Sequence, residues 1–220
     1  MVRKAFNEEL EQLRLQVELM GVKVDQNLER MRDVLLDGSQ SLADLAIAQD
    51  DDIDAMNISL VERCYDLLAR EHPVASDLRF VVSVLRILSE FERVGDLALR
   101  VVKTNPHRRL LTSSPTTYDI LVSMSDAALE VYRAALHAWS AQDLALATEV
   151  AARAHAMDAH YESLTAALLI LDGPDAVPTA TNTLIAGRSL ERIADHAAII
   201  GARLRYLLTG DPHHLTAEVR

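Results

Sequence analysis

A seven-residue string, ERVGDLA at residues 92–98, returns as ERIADHA at residues 191–197, 99 positions later. Both copies begin Glu-Arg, continue through a branched apolar residue and a small one to Asp, and end in Ala. A period of about a hundred residues constrains the chain to two similar units. It also raises the question of why each unit keeps the same two carboxylates.

Glycine and proline divide the chain into six long segments, each compatible with a helix. The boundaries fall at Gly38, Pro73, Pro106, Pro115, Gly173, Pro174, Pro178, Gly210 and Pro212. In the first segment, up to about Leu36, Leu10, Leu13, Val17, Met20, Val24, Leu28, Met31 and Leu35 recur at steps of three and four. That is the stripe of a long helix packed in a bundle. Ser39 or Ser41 is placed to cap the second helix, which runs through Asp50 and Cys64 until Pro73 stops it. The third, from about Ala75 to Lys103, is apolar around much of its circumference, as expected of a central, buried helix.

A short, polar, proline-bracketed stretch at 105–115 reads as a linker, and the pattern then restarts. A fourth helix is expected from about Thr117 to Trp139, with Leu121, Met124, Ala128, Val131, Ala135 and Trp139 on one stripe. A fifth follows, capped near Asp143 and ending by Gly173, and a sixth runs from about Thr179 to Thr209. The repeated string lies on the third helix of each half, so period and helix count agree. The fold class expected is all-α, two tandem three-helix repeats, with units at 1–106 and 107–220.

Composition supports this reading. Half of the 220 residues are hydrophobic but only 4% are aromatic, and the abundant Ala and Leu favour helices over strands. A net charge of -11 without a dense basic patch argues against nucleic acid as a partner. His107 to Arg109 is the densest basic run, in an apparent loop. The one cysteine, Cys64, allows no internal disulfide and reads as a small buried residue. The start MVRKAFNEELEQL lacks the apolar core of a signal peptide, and no apolar run reaches the roughly 20 residues of a bilayer span. A cytoplasmic protein is expected, peripheral to the membrane only through partners.

On a helix, positions i and i+4 share a face, so Glu92 neighbours Asp96 and Glu191 neighbours Asp195. Like charges at that spacing repel by about 0.2–0.5 kcal/mol in water and by more in apolar surroundings. Arg100, Arg188 and Arg192 lie three or four residues away and offer one means of neutralisation. A bound cation offers another: carboxylates suit Mg, Mn or Ca, and Fe or Zn also accept them, often with His. The run DDDID at 50–54 and the stretch AMDAHYE, with Asp158, His160 and Glu162, place further acids on the second helix of each half. Each run also reads as a solvated helix face. His196, directly after Asp195, is the best-placed nitrogen ligand.

Motifs for other chemistries are missing. The sequence has no HExxH, no GxxxxGK, no GxGxxG, and none of the Glu-x-x-His of ferritin-like diiron helices. No nucleophile stands beside an evident base, so no catalytic residue is assigned.

Three strings, HPVASDLRFVVSVLRILSEFERVGDLA, GRSLERIADHA and the lead-in FNEELEQLRLQVELMG, set in two three-helix repeats, resemble the PhoU family of phosphate-signalling regulators across almost the whole chain. The resemblance implies a non-enzymatic adaptor that represses the phosphate-starvation response when phosphate is plentiful and restrains phosphate uptake. Its implied partners are the ATPase subunit of the phosphate ABC transporter (PstB-like) and a sensor histidine kinase (PhoR-like). Some relatives carry metal ions or clusters at the repeated motif. Carried over, those sites are Glu92 and Asp96 with Asp54, and Glu191 and Asp195 with Asp158, for Mg, Mn, Fe or Zn. Asp77 and Arg79 also match, for metal binding, capping or inter-helix pairing.

Two departures weaken the second site: Ala194 stands where the family usually has Gly, and Ala154 where many relatives have an acid. A homodimer held by an apolar helix stripe is compatible with the sequence. The alternative function is a metal-binding helical protein with a storage or metal-dependent hydrolytic role.

Overall fold

A computed structural model describes the backbone of residues 2–219 and the side chains of residues 6–216. Six long helices carry the fold: α1 (Val2–Asp37), α2 (Gln40–Glu71), α3 (Ala75–Val102), α5 (Pro115–Ala141), α6 (Leu144–Leu169) and α7 (Ala176–Thr209). A single turn, α4 (Arg108–Leu111), lies between the halves, preceded by a 3-10 turn at Asn105–His107, and a second 3-10 segment closes the chain at Pro212–Val219. No strand occurs among the described residues.

Each boundary has a local cause. The α1 helix ends where Gly38 adopts a left-handed φ of 71°, and Ser39 caps α2 by accepting from the Leu42 amide at 3.3 Å. Left-handed His72 and then Pro73 end α2. Asp143 caps α6, its Oδ1 accepting from the amides of Ala145 and Leu146 at 2.7 and 3.0 Å. Pro178 does not delay α7: it sits in the first turn, where a missing N–H costs nothing, so the helix begins three residues before the expected Thr179. The stretch 105–115 is likewise not an open loop. Arg108 folds back from it to donate to the Leu36 carbonyl, beside the Tyr118 ring, and ties the connection to the end of α1.

The apolar stripes read from the sequence are the core. Leu13, Val17, Met20, Val24, Leu28 and Met31 on α1 are fully buried, as are Leu121, Met124, Ala128, Ala135 and Trp139 on α5. Each large apolar side chain taken from water contributes roughly 1.5–3 kcal/mol. The first three long helices pack on one another, as do the last three, and α3 also lies along α7 and α1 along α5. The repeats therefore share a seam. Tyr132 of α5 donates to the Gly21 carbonyl of α1 at 2.9 Å and meets Phe91 of α3 edge-on, while Phe80 of α3 stacks on Trp139 at 6.3 Å. Such aromatic pairs contribute about 0.5–1.5 kcal/mol beyond their buried area.

Candidate functional site

In the first repeat, the packing of α2 on α3 brings Asp50 and Asp54 beside Glu92 and Asp96. Asp50 lies on the inward stripe of α2 with Ala43, Ala46, Ile53 and Leu60, and is 8% exposed. Burial, then the charges of Asp54 and Asp96, push its carboxyl up to about 6, with Lys103 opposing. Burial and Asp96 raise Asp54 as well, and Glu92 is raised by burial, Asp96 and Asp54. No arginine or lysine forms an ion pair with any of these four carboxylates among the described residues, Arg100 included. The site is charge-crowded, and Lys103 and Arg93 offset it only from beyond ion-pair distance.

Gly95 explains how Asp50 fits. A methyl group built on Gly95 would stand 3.1 Å from Asp50 Oδ1, tighter than ordinary contact. In the second repeat the corresponding pair is Ala194 and Ala154, both buried. The methyl of Ala194 and the absence of a carboxylate at 154 thus go together: one repeat has an inward acid and a glycine to admit it, the other has two alanines.

The second cluster is smaller and partly neutralised. Glu191 is bonded to Arg188 on its own helix. Its carboxyl is still raised, by burial first and by Asp195 and Asp158, against the pull of Arg188. Asp195 is raised by burial, with Arg188, His196 and Arg192 opposing and Asp158 adding to the rise. Asp158 itself pairs with His155 at 2.9 Å. Glu162 is not among the charges that shift either acid. The position in α3 corresponding to Arg188 is Ser89, which is why the first cluster has no such partner.

Both sets of expected residues are therefore neighbours in space, yet among the described residues no three His, Cys, Asp or Glu side chains converge as a ready coordination sphere. Cation chemistry fits the first cluster best on charge: four acids, no bonded cation, and three carboxyls, those of Asp50, Asp54 and Glu92, raised by burial and by their neighbours' charge. The second fits less well, with three acids and one of them tied to Arg188. A partly exposed ion pair of this kind contributes about 0.2–1 kcal/mol, against about 8 kcal/mol for a micromolar ligand. Arg188 weakens a cation site there rather than abolishing it.

His196 has a different place from the one its neighbour Asp195 suggests. Its ring is buried between α7 and α3, where Nδ1 lies 2.6 Å from Oε2 of Glu90. Glu90 is fully buried and is also held by Arg86 at 3.2 Å and Arg93 at 3.4 Å. Sequence reading passed over Glu90. The signal was its register, because Ile87, Glu90, Val94 and Leu97 form one buried stripe of α3. Arg79 resolves to inter-helix pairing, its Nε donating to the Leu207 carbonyl near the end of α7 at 3.2 Å. Cys64 is buried and its thiol is pushed up to about 12 by burial, which leaves it un-nucleophilic at neutral pH.

A duplicated three-helix bundle with a carboxylate cluster on the third helix of each repeat defines the class of this protein. The family model described as "PhoU domain" matches twice, over residues 17–104 and 121–204, and the chain belongs to the PhoU family. It is 31% identical over 217 residues to the phosphate-specific transport system accessory protein PhoU homolog of Pseudomonas aeruginosa, covering 97% of this chain and 90% of that one. To the phosphate-specific transport system accessory protein PhoU of Escherichia coli it is 28% identical, covering 93% and 86%. The crystal structure of PhoU from Pseudomonas aeruginosa superposes with a TM-score of 0.88 at 32% identity, over 94% of this chain and all of that one. That of the phosphate transport system regulatory protein PhoU from Streptococcus pneumoniae gives 0.84 at 28%, over 94% and 98%. No described helix is long and apolar enough to cross a membrane.

Proposed function

We propose that this protein is an accessory regulator of phosphate-specific transport that lowers the phosphate-starvation response when phosphate is plentiful. The observation that carries the reading is similarity over nearly the whole chain, both repeats included, to proteins named as accessories of phosphate-specific transport. The finer reading is an adaptor without catalysis of its own, acting at the inner face of the membrane. It contacts the transporter ATPase subunit and a sensor histidine kinase, and it favours the kinase state that it binds more tightly. The Cys64 thiol, raised to about 12 by burial, offers no activated nucleophile, in keeping with action by contact.

Metal belongs to this proposal as an organiser of surface. Asp54, Glu92 and Asp96, with Asp50 behind them, would hold a divalent cation in the first repeat, and Asp158, Glu191 and Asp195 a weaker one in the second. A bound cation would supply the positive charge that offsets these crowded carboxylates. The side chains themselves shape the acidic face that a partner meets.

The test is a phosphate-starvation reporter in phosphate-rich medium, with the gene deleted and then restored. The reporter is expected to switch on after deletion and off after restoration. An unchanged reporter in a strain without a second family member contradicts the regulatory reading.

A further inference from the structure

Within this acidic chain, one cavity of about 540 Å³ on the seam between α3 and α7 is lined by three arginines, Arg100, Arg188 and Arg192, and by no carboxylate. Its walls are apolar: Leu97 from α3, Leu184 and Ile185 from α7, and Tyr161 from α6. Arg188 is spoken for by Glu191 and lies over the Tyr161 ring at 5.8 Å. Arg100 and Arg192 are exposed and form no ion pair among the described residues.

The internal repeat shows what such a position accommodates. Shifting by the repeat period of 99 takes Ser189 to Glu90, Arg192 to Arg93 and Leu97 to His196. At that equivalent place across the seam, the Glu90 carboxylate fills the space and receives Arg93, Arg86 and His196. On the cavity side Ser189 replaces the acid, so Arg192 keeps the position of Arg93 but forms no ion pair among the described residues. Arg100 and Arg188, which replace Ile199 and Ser89 of the equivalent surroundings, add two more guanidinium groups. The first repeat supplies an anion at this place from its own chain, and the second has none there.

We propose that this cavity binds a small amphiphilic organic anion, a phosphate, sulfonate or carboxylate on an apolar or aromatic body. The volume lies within the roughly 300–1,000 Å³ typical of small-ligand sites, whose walls are mainly apolar with a few placed polar groups. Guanidinium groups engage such headgroups through paired N–H donors. Leu184 and Ile185, 41% and 44% exposed, give the ligand body apolar surface to cover. This site adjoins the second carboxylate cluster, with which it shares Arg188, and does not depend on the regulatory role.

The test uses 8-anilinonaphthalene-1-sulfonate, whose fluorescence reports an apolar site that also accepts an anion. Saturable binding of one probe per chain is expected in the folded protein, weakened at least tenfold in the Arg100→Gln/Arg192→Gln double variant. Leu184→Asp is expected to weaken it as well, with circular dichroism checking that each variant keeps its helices. Adenosine monophosphate or octanoate should displace the probe, the better competitor identifying the headgroup, whereas inorganic phosphate at the same concentration should not. Probe binding that survives the arginine substitutions, that is unsaturable, or that inorganic phosphate displaces as well as the organic anions do, overturns the proposal.

Discussion

Glu90 on the third helix of one repeat and His196 on the third helix of the other meet at 2.6 Å in the buried seam between them. Two arginines of α3 complete the surroundings of the carboxylate. Removing one partner of a buried, hydrogen-bonded ionisable pair typically costs about 3–5 kcal/mol, because the other is left without compensation. Glu90→Ala is therefore expected to lower unfolding stability by about 3 kcal/mol, and His196→Ala by less. In a double-mutant cycle by urea denaturation the two losses should couple by about 1 kcal/mol or more. Additive losses would mean that Glu90 and His196 do not hold the seam as a pair.

Asp50 makes a pH-dependent contribution whose sign follows from burial. Its folded value, about 6, lies above the ordinary value of 3.8, so the folded state holds its proton more tightly. The stability due to that proton is fully present below about 4 and is lost as pH rises through 6. Asp50→Asn is expected to leave stability at pH 4 nearly unchanged and to raise it by ~2 kcal/mol at pH 7.5 in chelator-treated protein. Thermal melts across that range check this; equal melting temperatures for the two proteins at pH 7.5 would contradict it.

Gly95 and Asp50 should behave as a unit. Gly95→Ala alone sets the favourable helix propensity of Ala, about 1 kcal/mol, against a methyl 3.1 Å from Asp50 Oδ1. In an Asp50→Ala background the clash is gone. The pair Asp50→Ala/Gly95→Ala, which reproduces the second repeat, is expected to be about 1 kcal/mol more stable than the sum of the single effects. Chemical denaturation of the four proteins measures this directly.

The two repeats should differ in cation binding. Asp96→Ala is expected to remove more bound metal than Asp195→Ala, and the double variant should lower metal content further with little loss of helicity. Arg188→Ala releases Glu191 and is expected to tighten the second site by up to about fivefold, the equivalent of 1 kcal/mol. Elemental analysis and titration with Mn or Zn check these expectations. Equal loss from both single variants would remove the asymmetry between the sites.

The sequence makes the helices legible because their stripes are long and their stops strong. From Leu13 to Met31 on α1, and from Leu121 to Trp139 on α5, every residue of the expected stripe is buried. The repeated acids are legible through i, i+4 spacing, and Asp54 and Asp158 through the acids of the neighbouring helices. What stays hidden is the role of polar residues that fall on an apolar stripe. Glu90 and Asp50 each occupy a core register, but composition alone does not distinguish an acid received by partners across a seam from one on a solvated face. His196 illustrates the same limit: its chain neighbour is Asp195, while its partner lies on another helix, 106 residues away. Such pairings come from the docking of α3 on α7, which no local pattern encodes.

The most direct test of the account joins the first-repeat cluster to regulation. In the deletion strain, the gene carrying Asp54→Asn, Glu92→Gln and Asp96→Asn is expressed, and the phosphate-starvation reporter is read in phosphate-rich medium. The account predicts a folded protein, present at normal levels, that leaves the reporter on while the unaltered gene turns it off. Full repression by the triple variant would contradict the claim that these carboxylates organise the regulatory surface.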